Sequence, residues 1–155
     1  MPERTPIRRA CPRDAAAVSQ LLWDFNTEFE TQVPDVPALI QRWERMLARD
    51  DVLVLLADND AGFAFLTLWP TPYWNGPLAQ LEELYVAPEL RGQGIGGELL
   101  TGALAECRRS GAQEMLINVD EIDHGARRFY ERHGFSNYEL GQDYRMLCYI
   151  RELES

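Results

Sequence analysis

Apolar residues recur along the first 50 positions at two different spacings. A short strand is predicted at Thr5–Ala10, and two helical stripes follow it on either side of a turn that contains Pro34 and Pro37. We expect Asp14 to cap the first helix, because a short acidic side chain suits that position. The stripes are Val18, Leu21, Leu22 and Phe25 in the first helix and Leu39, Ile40, Trp43, Met46 and Leu47 in the second.

Short continuous apolar runs in the middle of the chain predict strands. Val52–Asp58 and Gly62–Leu68 form a predicted hairpin, because they are joined at Asn59-Asp60-Ala61-Gly62, a sequence typical of turns. Residues 69–78 are rich in proline and aromatic residues and predict an irregular excursion. A further strand is predicted at Gln80–Val86.

The remainder of the chain predicts alternating helices and strands. Together with the first half, this order predicts a single α/β domain over residues 1–155, with a mixed sheet of about six or seven strands and about four helices. The elements predicted here are a helix from the glycine run 92–97 to Gly111, a strand at Met115–Val119, a helix at Asp123–His133, and strands at Phe135–Leu140 and Tyr144–Ile150.

Charge and composition exclude several classes of function. The chain has 155 residues and a formal net charge of −10, which repels nucleic acid. Such a charge attracts cationic small molecules, and solubility alone is the alternative reason for it. The chain contains no lysine, which excludes both a P-loop and Schiff-base chemistry. No apolar run approaches the length of a membrane span, and the first residues lack the apolar core of a secretory signal. Three cysteines at unrelated spacings predict neither a disulfide framework nor a metal site, so we expect a cytoplasmic protein.

The clearest functional signal is a glycine run between a predicted strand and a predicted helix. Glycine lets the backbone approach a bulky anion, and the first N–H groups of a helix favour negative charge. The run therefore predicts a pyrophosphate-binding loop, to which Arg91 adds a charged donor. Its sequence is Arg91-Gly92-Gln93-Gly94-Ile95-Gly96-Gly97.

A dinucleotide-binding turn is one alternative for this loop, with Asp120 as its acidic partner. The glycine spacing G-x-G-x-G-G differs from G-x-G-x-x-G, and only about 60 residues follow, too few for the second half of a doubly wound fold. Glycines that serve only helix–strand packing are the other alternative.

Two segments resemble motifs of the GNAT N-acetyltransferase superfamily. Residues 91–96 match its acetyl-CoA signature R/Q-x-x-G-x-G/A, and residues 126–135, ARRFYERHGF, resemble A-x-x-F-Y-E-x-x-G-F. Leu81–Val86 is also similar to the corresponding strand of diamine (polyamine) acetyltransferases. The resemblance implies a mostly antiparallel central sheet, acetyl-CoA as the acetyl donor without a metal, and direct transfer to a primary amine.

The resemblance also implies where acetyl-CoA binds, namely where strand Gln80–Val86 diverges from strand Met115–Val119. Backbone groups of Leu84 and Val86 would pair with the pantetheine arm. Asp123 stands where the family commonly has Asn, so it either contacts CoA or only caps its helix. The cofactor-binding residues implied are Leu84, Tyr85, Val86, Arg91, Gly92, Gln93, Gly94, Ile95, Gly96, Gly97, Asp123 and Phe129.

Catalysis in the family needs a proton donor for the leaving thiolate and a route for the proton of the amine. Tyr130 is the implied general acid, although its place on an apolar helix face also suits a core tyrosine. The N–H of Val86 would polarise the thioester carbonyl. Glu82 is the favoured candidate base and Glu83 the second, with transfer to water as the alternative. Because neighbouring strand residues point to opposite faces, we expect Glu82 to share a face with Val86, and Glu83 with Tyr85.

The acceptor is predicted to be a cationic small molecule such as a polyamine or an aminoglycoside-like amine. Carboxylates and aromatic rings form a cation-binding wall, although the same aromatic residues suit a homodimer interface. Alternative acceptors are peptide or protein N-termini and amino acids, and a non-catalytic acyl-CoA-binding sensor is the alternative outside enzymes. The residues of the predicted wall are Asp24, Glu28, Glu30, Trp69, Tyr73 and Trp74.

Overall fold

The computed structural model describes residues 3–154, and the chain divides into two compact units. The larger unit ends at Ile117 and contains a sheet and three helices. The smaller unit begins at Asn118 and contains one helix.

Five strands form one sheet in the larger unit, in the order β1-β2-β3-β4-β5. The first four strands pair antiparallel, and β4 and β5 pair parallel. The mostly antiparallel α/β sheet implied by the resemblance is therefore confirmed. The strands are β1 (Ile7–Arg9), β2 (Val52–Ala57), β3 (Gly62–Trp69), β4 (Leu78–Val86) and β5 (Met115–Ile117).

Helices cover both faces of this sheet. The helices of the larger unit are α1 (Ala15–Glu28), α2 (Val36–Met46) and α3 (Ile95–Arg109). Val54 of β2 belongs to the buried cluster that includes Trp43 of α2, whereas Leu55 lies against Gly102 of α3. Because neighbouring strand residues face opposite sides, α1 and α2 lie on one face of the sheet and α3 on the other. The predicted helices and the β2–β3 hairpin are confirmed.

Asp14 does not cap α1, so that prediction is wrong. Its carboxylate accepts a hydrogen bond from the N–H of Cys11 at 2.8 Å and two from the guanidinium of Arg8, at 2.8 and 2.9 Å. These contacts close a short 3-10 turn, Pro12–Asp14, before α1 begins, and they hold the pKa of Asp14 well below its usual range. The carboxylate of Asp14 therefore closes the 3-10 turn before α1 instead of capping α1.

The smaller unit contains α4 (His124–Arg132) and a C-terminal segment without regular strands. The strands predicted at Phe135–Leu140 and Tyr144–Ile150 are reduced to one antiparallel bridge, between Tyr138 and Arg145. The sheet of the larger unit has five described strands, fewer than the six or seven predicted.

Candidate active site

The regular alternation of β4 is interrupted at Glu82. In the β3–β4 register, Phe65 pairs with Glu83 and the next residue, Leu66, pairs with Leu81, so Glu82 is the extra residue of a β-bulge. Glu83 therefore lies on the face of Phe65, which packs against α2. The bulge brings a second carboxylate to the same region of the sheet.

Glu82 is held on that same face by a side chain of β3. Thr67 is two residues from Phe65, so it shares its face, and its hydroxyl bonds to Oε1 of Glu82 at 2.6 Å. The expectation that Glu82 shares a face with Val86 is therefore wrong, since a strand bulge cancels the alternation on which it depended. Glu82 and Glu83 lie side by side, on the side of the sheet that α1 and α2 cover.

The direction of the hydrogen bonds around Glu82 is fixed by the indole of Trp69. Nε1 of Trp69 lies 3.0 Å from the hydroxyl oxygen of Thr67, and an indole N–H can only donate. The single hydroxyl proton of Thr67 is therefore donated to Glu82. This chain of donors occupies Oε1 of Glu82 and leaves its other carboxylate oxygen able to accept a further hydrogen bond from a cation.

The pKa of the Glu83 carboxyl departs from its usual value. Burial against the α1–α2 side of the sheet raises its pKa to about 7, and the negative charge of Glu82 contributes in the same direction. A carboxyl that titrates near neutral pH is well matched to accept a proton from a reacting group. The two glutamates thus differ in environment. Glu82 is exposed and hydrogen-bonded to Thr67, whereas Glu83 is half-buried and has a raised pKa.

Beyond Glu83, β4 continues past its parallel neighbour. The β4–β5 ladder ends at the pair Leu81 and Ile117. The N–H of Ala87 donates to the carbonyl of Ala61 at 2.9 Å. Hydrogen-bonded and non-hydrogen-bonded pairs alternate along an antiparallel ladder, so the backbone N–H and C=O groups of Leu84 and Val86 point away from β3. Within the larger unit, this is the backbone that the predicted pantetheine contacts require.

The glycine run enters α3 as predicted. Gly92 and Gly94 have φ angles of +77° and +86°, which a residue with a Cβ adopts only with strain. Gly94 is the N-cap residue of α3, and no side chain caps its first turn. A Cβ built at either glycine meets no described atom within 4 Å, so the loop is open at the positive end of the helix dipole. This arrangement fits a pyrophosphate group.

Arg91 connects the loop to α1. Its Nη2 donates to Oε2 of Glu28 at 2.6 Å, and its Nε donates to the carbonyl of Val86 at 2.9 Å. The guanidinium also lies 5.6 Å from the ring centre of Tyr85, a cation–π distance. Contact between Arg91 and phosphate stays a prediction. The contact with Glu28 was not predicted, because no local pattern relates residues 63 positions apart.

The aromatic residues of the predicted acceptor wall differ in their surroundings. Trp69 is linked to Glu82 through the hydroxyl of Thr67. Tyr73 is largely exposed, whereas the indole of Trp74 donates to the carbonyl of Pro77 at 2.9 Å and stabilises the excursion itself. Thr67 is the residue that sequence reasoning missed, and a threonine inside an apolar strand gives no signal of this role.

The remaining predicted residues lie in the smaller unit. Asp123 caps α4, since its carboxylate accepts from the N–H of Ala126 at 3.0 Å, which confirms the capping prediction. Tyr130 is buried, with its ring 5.1 Å from that of Phe129 and 5.6 Å from that of Phe135. Contact of Asp123 or Phe129 with CoA, and proton donation by Tyr130, stay predictions.

Comparisons with known proteins identify the family. Residues 15–135 match the model of the acetyltransferase (GNAT) family, and the chain belongs to that family. It is therefore an acetyl-CoA-dependent N-acetyltransferase.

Individual relatives support the same assignment. A solved acetyltransferase-like structure from Arthrobacter sp. FB24 is 45% identical, with a TM-score of 0.92 and 97% of each chain covered. An uncharacterized N-acetyltransferase, YhfO, from Bacillus subtilis is 29% identical over 83% of this chain and 88% of its own length. Aminoglycoside N(6')-acetyltransferase type 1 from Stenotrophomonas maltophilia is 32% identical over 90% of this chain and 92% of its own length.

Residues 3–154 contain neither a membrane-spanning helix nor a metal-binding cluster. None of the described helices is both long and apolar enough to cross a membrane. Within the same residues, no group of three or more His, Cys, Asp or Glu side chains is placed to hold a metal ion.

Replacing Gly94 by alanine is expected to weaken acetyl-CoA binding about tenfold. A left-handed conformation costs a residue with a Cβ about 1–2 kcal/mol, which about equals a factor of ten in affinity. The change is measured as the KM of acetyl-CoA and as its Kd by calorimetry. Gly125→Ala is the matched control, because Gly125 lies in α4 and a Cβ there meets only Asp123, at 3.8 Å. An unchanged Kd in Gly94→Ala would contradict the assignment of this loop.

Proposed function

We propose that this N-acetyltransferase acetylates a primary amine of a cationic small molecule, of the polyamine or aminoglycoside-like type. The observation that carries the proposal is the pair of carboxylates at the β4 bulge, Glu82 and Glu83, brought to one face of the sheet. An ammonium group is the natural partner of such a pair. The similarity to an aminoglycoside acetyltransferase over most of both chains supports the same class of acceptor.

Glu83 is proposed to accept the proton that the attacking amine loses. Its raised pKa, about 7, makes it a stronger base than an ordinary carboxylate, although the amine must be delivered in its neutral form or lose its proton in stages. The amine nitrogen forms a bond to the acetyl carbonyl carbon as the carbon–sulfur bond breaks. The N–H of Val86 is proposed to donate to the carbonyl oxygen, and Tyr130 is proposed to protonate the departing sulfur.

Glu82 is proposed to bind the cationic acceptor without taking its proton. The donor chain from Trp69 through Thr67 holds one carboxylate oxygen in place. The side chain is exposed, so its other oxygen can receive an ammonium group of the acceptor. An exposed ring of Trp69 beside this carboxylate would add a cation–π contact.

This end of the sheet is less suited to binding acceptors that carry a free carboxylate. Recognition of an amino acid or a peptide backbone would need an uncommitted arginine, whereas the guanidinium of Arg91 is bonded to Glu28 and to the carbonyl of Val86. A non-catalytic sensor would have no use for a carboxyl group poised near neutral pH. These observations favour a catalytic protein with a cationic acceptor.

We also propose that residues 1–155 function as one catalytic domain in the cytoplasm. Support for one domain comes from the family match, since residues 15–135 extend across the boundary between the two units. The absence of a disulfide among the three described cysteines is compatible with a reducing compartment.

A thiol-release assay tests the acceptor class. Acetyl-CoA is supplied with diamines, polyamines, aminoglycosides, amino acids or peptides, and the appearance of free CoA is followed. We expect turnover with polyamines or aminoglycosides, with kcat/KM at least about tenfold above that of neutral amino acids. Preference for a peptide or an amino acid would contradict the proposed acceptor. Binding of acetyl-CoA without turnover of any amine would instead favour the sensor.

Replacing Thr67 by valine is expected to raise the acceptor KM about tenfold with a smaller change in kcat. The change removes one hydrogen bond to an ionised carboxylate, a contact of about 1.5–3 kcal/mol, so Glu82 loses its fixed position. Thr67→Ser restores the hydroxyl and should restore the KM. A KM that stays unchanged in Thr67→Val, or that is equally raised in Thr67→Ser, would contradict this positioning role.

A further inference from the structure

An ion pair joins the end of α1 to the first residue of the glycine loop. Nη2 of Arg91 donates to Oε2 of Glu28 at 2.6 Å. The exposed fraction is 44% for the side chain of Arg91 and 26% for that of Glu28, so water screens the pair only in part. Glu28 is the last residue of α1, and Arg91 directly precedes Gly92, which has a positive φ. The pair therefore connects a helix of the larger unit to the predicted pyrophosphate site.

The charge of Glu28 is unfavourable for its surroundings in two ways. The C-terminal end of a helix is negative and favours basic residues, yet the last turn of α1 contains Glu28 and no basic residue. A carboxylate beside a loop that binds a polyanion also opposes that binding by charge alone. Because both effects disfavour an acidic residue here, the benefit of Glu28 lies in what its carboxylate holds, which is the guanidinium of Arg91.

Arg91 is held from two further directions. Its Nε donates to the carbonyl of Val86 at 2.9 Å and so closes the chain around the 3-10 turn Pro88–Leu90. The guanidinium lies 5.6 Å from the ring centre of Tyr85, and that ring packs edge-on against Phe25 of α1 at 5.1 Å. The end of α1, the end of β4 and the start of the glycine loop thus meet at one guanidinium.

These contacts leave one nitrogen of the guanidinium for a ligand. Nε and Nη2 of Arg91 are both bonded, whereas Nη1 has no hydrogen-bond partner among residues 3–154. Glu28 and a phosphate oxygen can therefore bind different nitrogens at the same time, so they do not compete for the side chain. An arginine that is already fixed on one side loses less side-chain freedom when it binds an anion on the other.

We propose that Glu28 is a positioning residue for acetyl-CoA, which acts by orienting Arg91 so that Nη1 is available to the pyrophosphate. Glu28 then serves the binding of acetyl-CoA and is not part of the predicted acceptor wall. This role is independent of which amine the protein acetylates, since only residues beside the glycine loop take part in it.

Calorimetry with acetyl-CoA tests the proposal through the sign of the effect. Glu28→Ala removes the partner of Arg91 and should weaken acetyl-CoA binding about fivefold, the size of a partly exposed ion pair. Loss of a negative charge alone would instead tighten the binding of a polyanion. Glu89→Ala is the matched control, because it removes the same charge from the exposed turn beside the loop and should not weaken binding. The melting temperature should change little in Glu28→Ala, since loss of the ion pair is offset by relief at the helix end.

A double-mutant cycle shows whether Glu28 acts through Arg91. Arg91→Gln keeps a residue that the acetyl-CoA signature allows at this position, and it should raise the Kd of acetyl-CoA at least about tenfold. In that background Glu28→Ala should add less than about twofold, because the group that it orients is gone. Equal effects of Glu28→Ala with and without Arg91, tighter binding in Glu28→Ala, or a native Kd in Arg91→Gln would each overturn the proposal. A raised amine KM with a native acetyl-CoA Kd in Glu28→Ala would overturn it too, and would return Glu28 to the acceptor wall.

Discussion

Replacing Glu83 by glutamine is expected to lower kcat/KM for the amine at least about 100-fold at pH 8, as is usual when a general base is removed. Glutamine keeps the size of the side chain and its half-buried place opposite Phe65, but it cannot accept the proton of the amine. The measurement is steady-state thiol release with the best amine of the acceptor panel. The Kd of acetyl-CoA should stay unchanged.

The pH profile separates a proton-accepting role from a structural one. In the native protein, kcat/KM should rise with pH through about 7, because Glu83 is active only after it has lost its proton and burial holds its pKa at about that value. This step should be missing in Glu83→Gln. Below pH 7 the native rate falls toward that of the variant.

Two matched variants define what would contradict this role. Glu44→Gln makes the same change on the exposed side of α2 and should have no effect on kinetics. Glu82→Gln should mainly raise the acceptor KM, since Glu82 is proposed to bind the cation. If Glu82→Gln abolished the step near pH 7 and Glu83→Gln preserved it, the two roles would have to be exchanged. If neither change altered the profile, transfer of the proton to water would replace both.

The parts of the fold that the sequence predicted well are those governed by local patterns. Glycines at positions 92 and 94 predict backbone conformations that other residues avoid, and the structure has positive φ angles at both. Helical spacing placed α2 and α3 within a few residues of their bounds, since an apolar stripe and its helix have the same period. Here the information needed is contained in one segment.

Predictions failed where competing partners of one side chain, or the pairing between two strands, decide the outcome. Asp14 and Asp123 are both acidic residues before a helix, yet only Asp123 caps its helix, because Arg8 and the N–H of Cys11 occupy the carboxylate of Asp14. The bulge at Glu82 depends on the register between β3 and β4, which no spacing within β4 reveals. Strand alternation is reliable only while the ladder is regular, so the faces of Glu82 and Glu83 needed the structure.

The C-terminal segment shows a different reason for failure. The alternation of apolar and polar residues in this segment indicates a preference for strand structure. A strand also needs a neighbouring strand to complete its hydrogen bonds. Within residues 118–154 of the smaller unit, the described pairing is limited to the bridge between Tyr138 and Arg145.

Replacing Tyr130 by phenylalanine is expected to lower kcat about 100-fold while the Kd of acetyl-CoA changes less than about twofold. Phenylalanine keeps the ring, and with it the contacts to Phe129 and Phe135 at 5.1 and 5.6 Å, but removes the only proton that the side chain can donate. A purely structural tyrosine would behave differently: its loss would lower the melting temperature and leave the turnover of the folded fraction intact. Kinetics, calorimetry and thermal melting are therefore measured on the same preparation.

The control for this variant is Tyr149→Phe, which removes the same hydroxyl from a largely exposed side chain and should leave kcat unchanged. A variant with normal acetyl-CoA binding and undiminished kcat would remove Tyr130 from the reaction. Protonation of the thiolate would then have to come from solvent, and the tyrosine of the motif would be retained for its packing in α4.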